Sequence, residues 1–532
     1  MLAKQFLGKR TWQILGGIVA IYLIAIFTRD TGFELPALIL VLLATLAISW
    51  KSLPHGLIIA FAEVFVGGHG HLLDSDIFGF SVSIRMVIFV AVMLVWLIKW
   101  LKHDIKPQII AIRDVPWVII FVAVVVGTVI GFLNNNPANV FDDMNGFVVI
   151  AYLLPLISIQ WTQTLRRELL QTLAASVIWL VFSSLLLSIL FTHLDGKTLD
   201  PLYKFVRDSR IAEITLQTVS NSNGEVTNEL GSKLLGDGGY WYRIFMPSQW
   251  FMVVMATLLV SAFLMLWRSQ RVPELTALFF AVLIGAGITS MSRSFLIGFG
   301  LSSILLFFVG LKTGKKAVSN VARRTIYLSL LLVAGFGVVW ASVAVAPNPD
   351  ITDAAFYKTS ADVGREAGVT SRWQLLTPMM EQISESPIIG SGFGTEVTYT
   401  TDDPRIRAQS ESGEQTTYRF EWGYQDIWLK MGVLGILGFL LYLVSLIRVG
   451  LFSVNRHGHA WLVSGLVASV IGLFVVHIFS PYLNHPIGLI TMLFVLPFLD
   501  FEGLTLKLAE IKSRSKKLKP IAEMSPAMSV DE

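Results

Sequence analysis

The chain has no cysteine among its 532 residues. That excludes disulfides, thiolate nucleophiles and thiolate metal sites. Charge is also scarce: 15% of residues are charged and 54% are hydrophobic, whereas an ordinary soluble domain carries about 25% charge. With a mean hydropathy of +0.66, the composition indicates an all-α polytopic integral membrane protein. The net charge of +4 comes from basic residues scattered at the ends of apolar runs, a pattern that excludes nucleic acid as a partner. The opening MLAKQFLGKR and the apolar run 14–27 have no small-x-small cleavage site before Arg29-Asp30, so we read an uncleaved first span.

A membrane-crossing helix needs about 20 apolar residues. Candidate runs occupy 13–28, 35–50, 56–67, 84–101, 115–133, 147–161, 168–192, 249–267, 273–290, 294–311, 326–346, 426–447, 461–479 and 487–500. That gives about 14 transmembrane helices, or 12–14 if the short third and last runs are re-entrant. Positive residues orient the chain. With the N-terminus inside, 25 of the 41 lysines and arginines fall in cytoplasmic segments, and the outer segments 134–146 and 480–486 have none. Both termini are therefore expected in the cytoplasm. N-terminal helices extend to residue 192 and further ones cover 249–346 and 426–500. Between them lie two long extracytoplasmic segments, 193–248 and 347–425, and a basic tail covers 501–532. The tail suits the anionic inner leaflet.

Each long outer segment carries six basic residues, and long loops translocate regardless of charge. Outward-facing arginines can bind an anionic substrate, or simply pair with the loops' own carboxylates. Glu63 interrupts an apolar run, where an ionisable group needs a cavity or a partner. His69, His71, Asp74 and Asp76 could be drawn as a metal site, but a solvated loop is the better reading of His-x-His among glycines. Tyr240, Trp241 and Tyr242 suit a membrane interface or a sugar-stacking surface, and Arg243 follows them at the mouth of a span. The turn SMSRS, 290–294, sets Arg293 at the membrane boundary, within reach of a phosphate or of lipid headgroups. His477 reads as a core histidine.

The most informative stretch begins SRWQLLTPMMEQISESPIIGSGFGT, residues 371–395. Trp373, Leu376, Met380 and Ile383 recur at helical spacing, which predicts an interfacial helix. Pro378 is expected either to kink it or to open it from Thr377. The glycines of 390–394 can cradle an anion with their amides or allow tight packing. Glu421, Tyr424, Gln425 and Asp426 follow at the outer end of a span, and 395–420 carries no pattern that assigns it.

These residues resemble a known family. RxWxxL…PIIGSGFGT, followed by a span holding Gly432 and Gly435, is similar to the O-antigen ligase and Wzy-type polymerase superfamily. YRIFMPSQ and TSMSRS resemble two further motifs of that family, and the similarity covers roughly 240–445. The resemblance implies an integral-membrane glycosyltransferase of the GT-C type that uses neither metal nor other cofactor. Such an enzyme moves glycan from an undecaprenyl-pyrophosphate-linked oligosaccharide to an acceptor glycan or lipid. It would work on the outer face of the bacterial inner membrane, among membrane lipids and polysaccharide-assembly proteins. It implies pyrophosphate holding by Arg243, Arg293 and Arg372, and glycan contacts by Tyr240, Trp241 and Trp373. Ligases of the family have His-Asn before the span with GxxG, whereas Glu421-Trp422 stands here. That favours a polymerase, with Glu421, or else Asp426, as general base. A polysaccharide exporter or flippase is the competing class, although no internal repeat of the kind transporters show is evident.

Overall fold

The computed structural model describes residues 5–77, 79–216, 219–220, 226–227, 242–266, 274–312, 317–344, 365–407, 410, 412–456 and 459–511. It is all-α, and the described residues of the fourteen expected apolar runs lie largely on helical backbone. Their lengths differ from expectation. Among the described residues ten helices are long and apolar enough to cross a membrane, and an eleventh counts if Pro486–Phe498 and Phe501–Ile511, bent by 65°, act together. Leu53–Val66, Glu274–Ile288 and Ala460–Val476 are shorter, so fourteen full-length spans are not upheld. A hydropathy window cannot distinguish lipid contact from protein contact. Leu53–Val66 and Ala460–Val476 are apolar all round and buried along most of their length, as interior helices are. Elsewhere Phe27, Leu40, Val118, Phe121, Leu296 and Val333 stay exposed and form the surface suited to lipid.

The helices approach closely where glycine or serine faces a backbone. A Cβ on Gly298 would lie 3.0 Å from the Gly472 carbonyl oxygen, and Ser302 donates to the carbonyl of Ala468 at 2.8 Å. Small residues of this kind draw membrane helices together, because dispersion and hydrogen bonds replace the hydrophobic effect there.

Non-helical structure gathers in the segments read as loops. Four two-stranded antiparallel ribbons are present among the described residues: Asp74–Ile77 with Phe80–Ser83, Glu213–Leu216 with Tyr242–Phe245, Val219–Ser220 with Val226–Thr227, and Val397–Thr400 with Glu414–Thr417. The last pair falls in the stretch without a sequence assignment. An amphipathic helix, Gly196–Asp208, opens the first long segment, with Asp195 capping Thr198 N–H at 3.0 Å. Tyr242 is buried in its strand against Phe191, ring centres 5.6 Å apart, so it is not an interfacial residue. Tyr240 and Trp241 lie outside the described residues.

These segments tie one end of the bundle together. Glu63 has the partner its position requires: Arg85 grips it with Nε and Nη2 at 2.8 and 3.0 Å and also donates to the Gly68 carbonyl at 2.9 Å. Arg29 reaches Asp74 at 2.7 Å, and His71 lies 3.1 Å from the same carboxylate. Among the described residues no group of three or more His, Cys, Asp or Glu could hold a metal ion. The His69–Asp76 segment is instead a packed hairpin, with Gly68 N–H donating to Ser248 Oγ at 3.1 Å.

The C-terminal turn closes onto this hairpin, with His485 Nε2 3.3 Å from His69 Nδ1. The His69 ring keeps an exposed edge. Crowding on its other sides, with Arg85, Arg210, His71 and Arg419 nearby, holds its pKa down at about 4. His485 is likewise pushed well below the usual imidazole value by burial.

The helix Gly423–Arg456 is broken at Gly432, where φ is 62° and ψ −165°. The chain from Pro387 to Gly394 fills the break. Val433 N–H donates to the carbonyls of Pro387 and Ile388 at 3.1 Å, and Ser391 N–H donates to Leu429 at 2.7 Å. A Cβ on Gly432 would lie 2.1 Å from the Ile388 oxygen, so only glycine satisfies both the dihedral and the contact.

Two predictions follow from this packing. Gly432→Ala should cost about 2 kcal/mol or more in thermal unfolding of the purified protein, while Gly300→Ala, which meets nothing within 4 Å, should be neutral or slightly stabilising. The depressed His69 pKa means the unfolded chain binds more protons. Stability conferred by the neutral ring is therefore full above pH 6.5 and lost as pH falls through 6.5 towards about 4. Unfolding midpoints measured across that window should fall less steeply in His69→Gln than in the wild type.

Candidate active site

The residues singled out in the sequence converge on the turn 477–485. Arg243 sits in the strand Tyr242–Phe245, donates from Nε to the Ser290 carbonyl at 2.9 Å and covers the Phe245 ring at 4.6 Å. Its Nη1 is 3.9 Å from Glu213. Ile244 N–H donates to Thr289 at 2.9 Å, so the strand and the 289–294 turn form one unit. Arg293 is exposed at the first position of the helix Arg293–Lys312 and makes no hydrogen bond or ion pair among the described residues. Ser292 and Ser294 lie 3.1 Å apart, and Ser294 is 3.1 Å from Ser480 of the central turn.

Arg372 and Glu421 approach the same turn from the opposite side. They form an ion pair with each other, each about half exposed. Trp422 Nε1–H donates to the Arg372 carbonyl at 2.8 Å, and its ring packs between Trp373 at 4.8 Å and Phe479 at 6.1 Å. Thus Phe479 and Ser480, adjacent in sequence, link the Arg372–Glu421 pair to the turn that carries Arg293.

The helix bearing Arg372 differs from the expectation. Arg365–Glu385 runs through Pro378 without beginning there. Its buried stripe is Leu375, Met379 and Ile383, while Trp373 and Met380 are 58% and 40% exposed. Trp373 therefore lies off the buried face, with its ring packed on Trp422 on one side and exposed on the other. The glycine turn packs tightly: amides of Gly390, Ser391, Phe393 and Gly394 donate to Ser386, Leu429, Gly127 and Asp143. With four of its amides engaged within the protein, one of them by the Asp143 carboxylate, the turn acts as a structural wedge.

Asp426 is buried, away from any exposed ligand. Lys430 Nζ lies 2.6 Å from Asp426 and 2.6 Å from Asp143 of the helix Pro137–Met144, and 3.1 Å from the Tyr418 carbonyl. Asn484 Nδ2 donates to Asp426 at 2.5 Å. Asp143 also receives Gly394 N–H at 2.9 Å. One ammonium therefore gathers the helix Pro137–Met144, the Tyr418 segment and, through Asp426 and Asn484, the central turn. The sequence reading passed over Lys430 and Asp143. The available signal was a lysine four residues after an aspartate inside an apolar span, where an ionisable group demands a named partner. His477 is fully buried and accepts Leu483 N–H at Nδ1, 3.2 Å away, as a core histidine does.

Removing one member of this cluster leaves a buried charge uncompensated, which typically costs about 3–5 kcal/mol. Lys430→Met should therefore abolish or severely reduce recovery of folded protein from detergent. Lys430→Met combined with Asp143→Asn and Asp426→Asn should recover part of the loss, read as the unfolding midpoint.

No curated protein matches the chain. Residues 277–440 match the family model Wzy_C, described as O-Antigen ligase. The matched stretch holds Arg293, Arg372, Glu421 and the wedge–helix junction at Gly432. The motif resemblance thus agrees with an independent match: residues 277–440 of this multi-pass membrane chain are similar to the O-antigen ligase family model, while the rest of the chain lies outside it.

Proposed function

We propose that the protein is a membrane glycosyltransferase that extends surface polysaccharide from undecaprenyl-pyrophosphate-linked glycan on the outer face of the inner membrane, as a polymerase in preference to a ligase. The observation that carries this reading is the pairing of Arg372 with Glu421, linked through Trp422, Phe479 and Ser480 to the turn that carries Arg293. Glycosyl transfer from a pyrophosphate has two requirements. Charge accumulating on the leaving group must be neutralised, and the acceptor hydroxyl must give up a proton. Arginine meets the first with a planar, permanently charged fork that binds phosphate in bidentate fashion, strengthened where apolar helices lower the dielectric.

Glu421 meets the second. While it faces Arg372 the carboxylate is a weak base, because the guanidinium favours its charged form. A pyrophosphate that takes over Arg372 releases it. The acceptor oxygen then attacks the anomeric carbon, the bond from that carbon to the phosphate oxygen breaks, and the hydroxyl proton passes to Glu421. Binding of donor and activation of acceptor are thereby coupled through one ion pair. Arg243, fixed to the Ser290 carbonyl, orients the turn that carries Arg293. The carboxylate at 421, in the place of the ligase family's histidine, supports polymerase over ligase.

The helix broken at Gly432 next to an in-span lysine is a feature that transporters also use. It supports a second reading, in which the protein moves lipid-linked glycan across the membrane. The two readings separate in a deletion strain restored with variants. A polymerase lacking function leaves single repeat units on the acceptor, a ligase leaves complete chains on the lipid carrier, and a transporter leaves undecorated acceptor with donor retained inside. We expect single units after deletion, long chains with the wild type, and about 10²–10⁴-fold slower elongation with Glu421→Gln. Arg372→Lys should lose most activity, since the charge survives but the fork does not. Full chain lengths with both Arg372→Ala and Glu421→Gln would refute the site.

A further inference from the structure

A second cluster lies at the same end of the bundle, built largely from residues outside the matched family region. Gly68 and Gly70 bend the hairpin that carries His69, with φ of 55° and 89°. His69 N–H reaches the carbonyl of Arg210 at 3.4 Å. Arg210 itself is held in the left-handed region at φ 50°, after the amphipathic helix Gly196–Asp208. Its guanidinium is exposed and makes no hydrogen bond or ion pair among the described residues, yet it acts electrostatically on both His69 and Asp142.

The imidazole pair has a defined proton arrangement. His485 Nδ1 accepts Ile487 N–H at 3.2 Å, so the neutral ring carries its proton on Nε2. That N–H then points to His69 Nδ1, 3.3 Å away, which must accept. The His69 proton is left on Nε2, a donor with no partner among the described residues, on a ring with an exposed edge. Two donors, the His69 Nε2–H and the Arg210 guanidinium, thus belong to one cluster, and among the described residues nothing accepts from either.

The charge count limits what they accept. Arg85 is neutralised by Glu63, and Arg419 by Asp142 with Tyr418 donating to the same carboxylate at 3.0 Å. Arg29 is neutralised by Asp74, and both histidines of the pair are neutral. One positive charge remains, on Arg210. A pyrophosphate brings at least two negative charges, whereas a sugar carboxylate brings one, with flanking hydroxyls that suit neutral imidazole.

We propose that Arg210 and His69 form a subsite for the carboxylate of an acidic sugar, a uronic acid within the glycan held by the outer segments. The proposal rests on the reading of the protein as one that handles glycan, and it adds that the glycan is acidic. A guanidinium–carboxylate contact of this kind contributes about tenfold or more in affinity.

The test is equilibrium titration of the purified full-length protein in detergent with tetragalacturonate and with neutral maltotetraose. The acidic tetramer should bind the wild type about tenfold more tightly. Arg210→Ala should erase that preference without changing maltotetraose binding, and Arg210→Lys should retain part of it. Should Arg210→Ala fail to fold, Arg210→Gln makes the same comparison. Equal binding of the two tetramers by the wild type overturns the proposal, as does an acidic preference that survives loss of Arg210. Displacement of tetragalacturonate by equimolar inorganic phosphate, dependent on Arg210, reassigns the site to phosphate and overturns it too. The elongation assay fails or succeeds independently: uronate selectivity without chain growth removes the transferase reading and leaves this subsite standing.

Discussion

The architecture around the candidate site depends on a single buried ammonium. Lys430 sits between Asp143 and Asp426 at 2.6 Å from each and touches the carbonyl of Tyr418. Moving a charge away from water is expensive, and a buried pair recovers that cost only where further hydrogen bonds complete its shell. Here Asn484 and Gly394 N–H complete it. The central turn, the glycine wedge, the Tyr418–Trp422 segment and the helix Pro137–Met144 are thereby fixed to one point. Such a clamp contributes specificity more than net stability: it selects one arrangement of segments that apolar packing alone would let slide.

Upon this frame the arginines fall into two kinds. Arg85, Arg372 and Arg419 are matched with carboxylates, while Arg210 and Arg293 stand unmatched among the described residues. The common expectation that loop arginines form surface ion pairs therefore holds for most of them. The exceptions carry the functional argument, because a guanidinium without a carboxylate is available to a ligand at no cost of breaking an existing pair. Arg372 is the instructive intermediate. Its partner is the residue that must be released for chemistry, so the pair acts as a latch on the base.

Most of the architecture was legible in the sequence because hydropathy and charge are local signals. Among the described residues the apolar runs are largely helical, Glu63 has a partner, and three motifs far apart in the chain meet around one turn. What escaped depended on distance. Asp142 and Asp143 lie in a short segment whose interest seemed to be its lack of positive charge, and nothing local connects it to Lys430 or Arg419. The run Trp373–Ile383 shows the finer limit. Helical spacing identified the helix, but its buried face is set by Leu375 and Met379, one position from the stripe drawn, because that face packs on Val397, Tyr399 and Phe420 from the distant 395–420 stretch. The four ribbons escaped because strands of two to four residues are too short to show alternation. Span number escaped because interior and lipid-facing helices share one composition.

The contact between Asp143 and Lys430 joins residues 287 positions apart, and this has a consequence for how the protein is made. At a synthesis rate of about 5–20 residues per second, Asp143 waits roughly 15–60 s for its lysine. During that interval a segment with two adjacent carboxylates and no lysine or arginine cannot settle among apolar helices. It must remain at the water boundary, with the early helices inserted but the loop end still open. Closure comes only when the last third of the chain has entered the membrane, bringing the wedge, the lysine and the Asn484 turn within a short span of sequence. Assembly of the candidate site is thus a terminal event of biogenesis, and a chain stalled or shortened before residue 430 would have its early spans in place and no site.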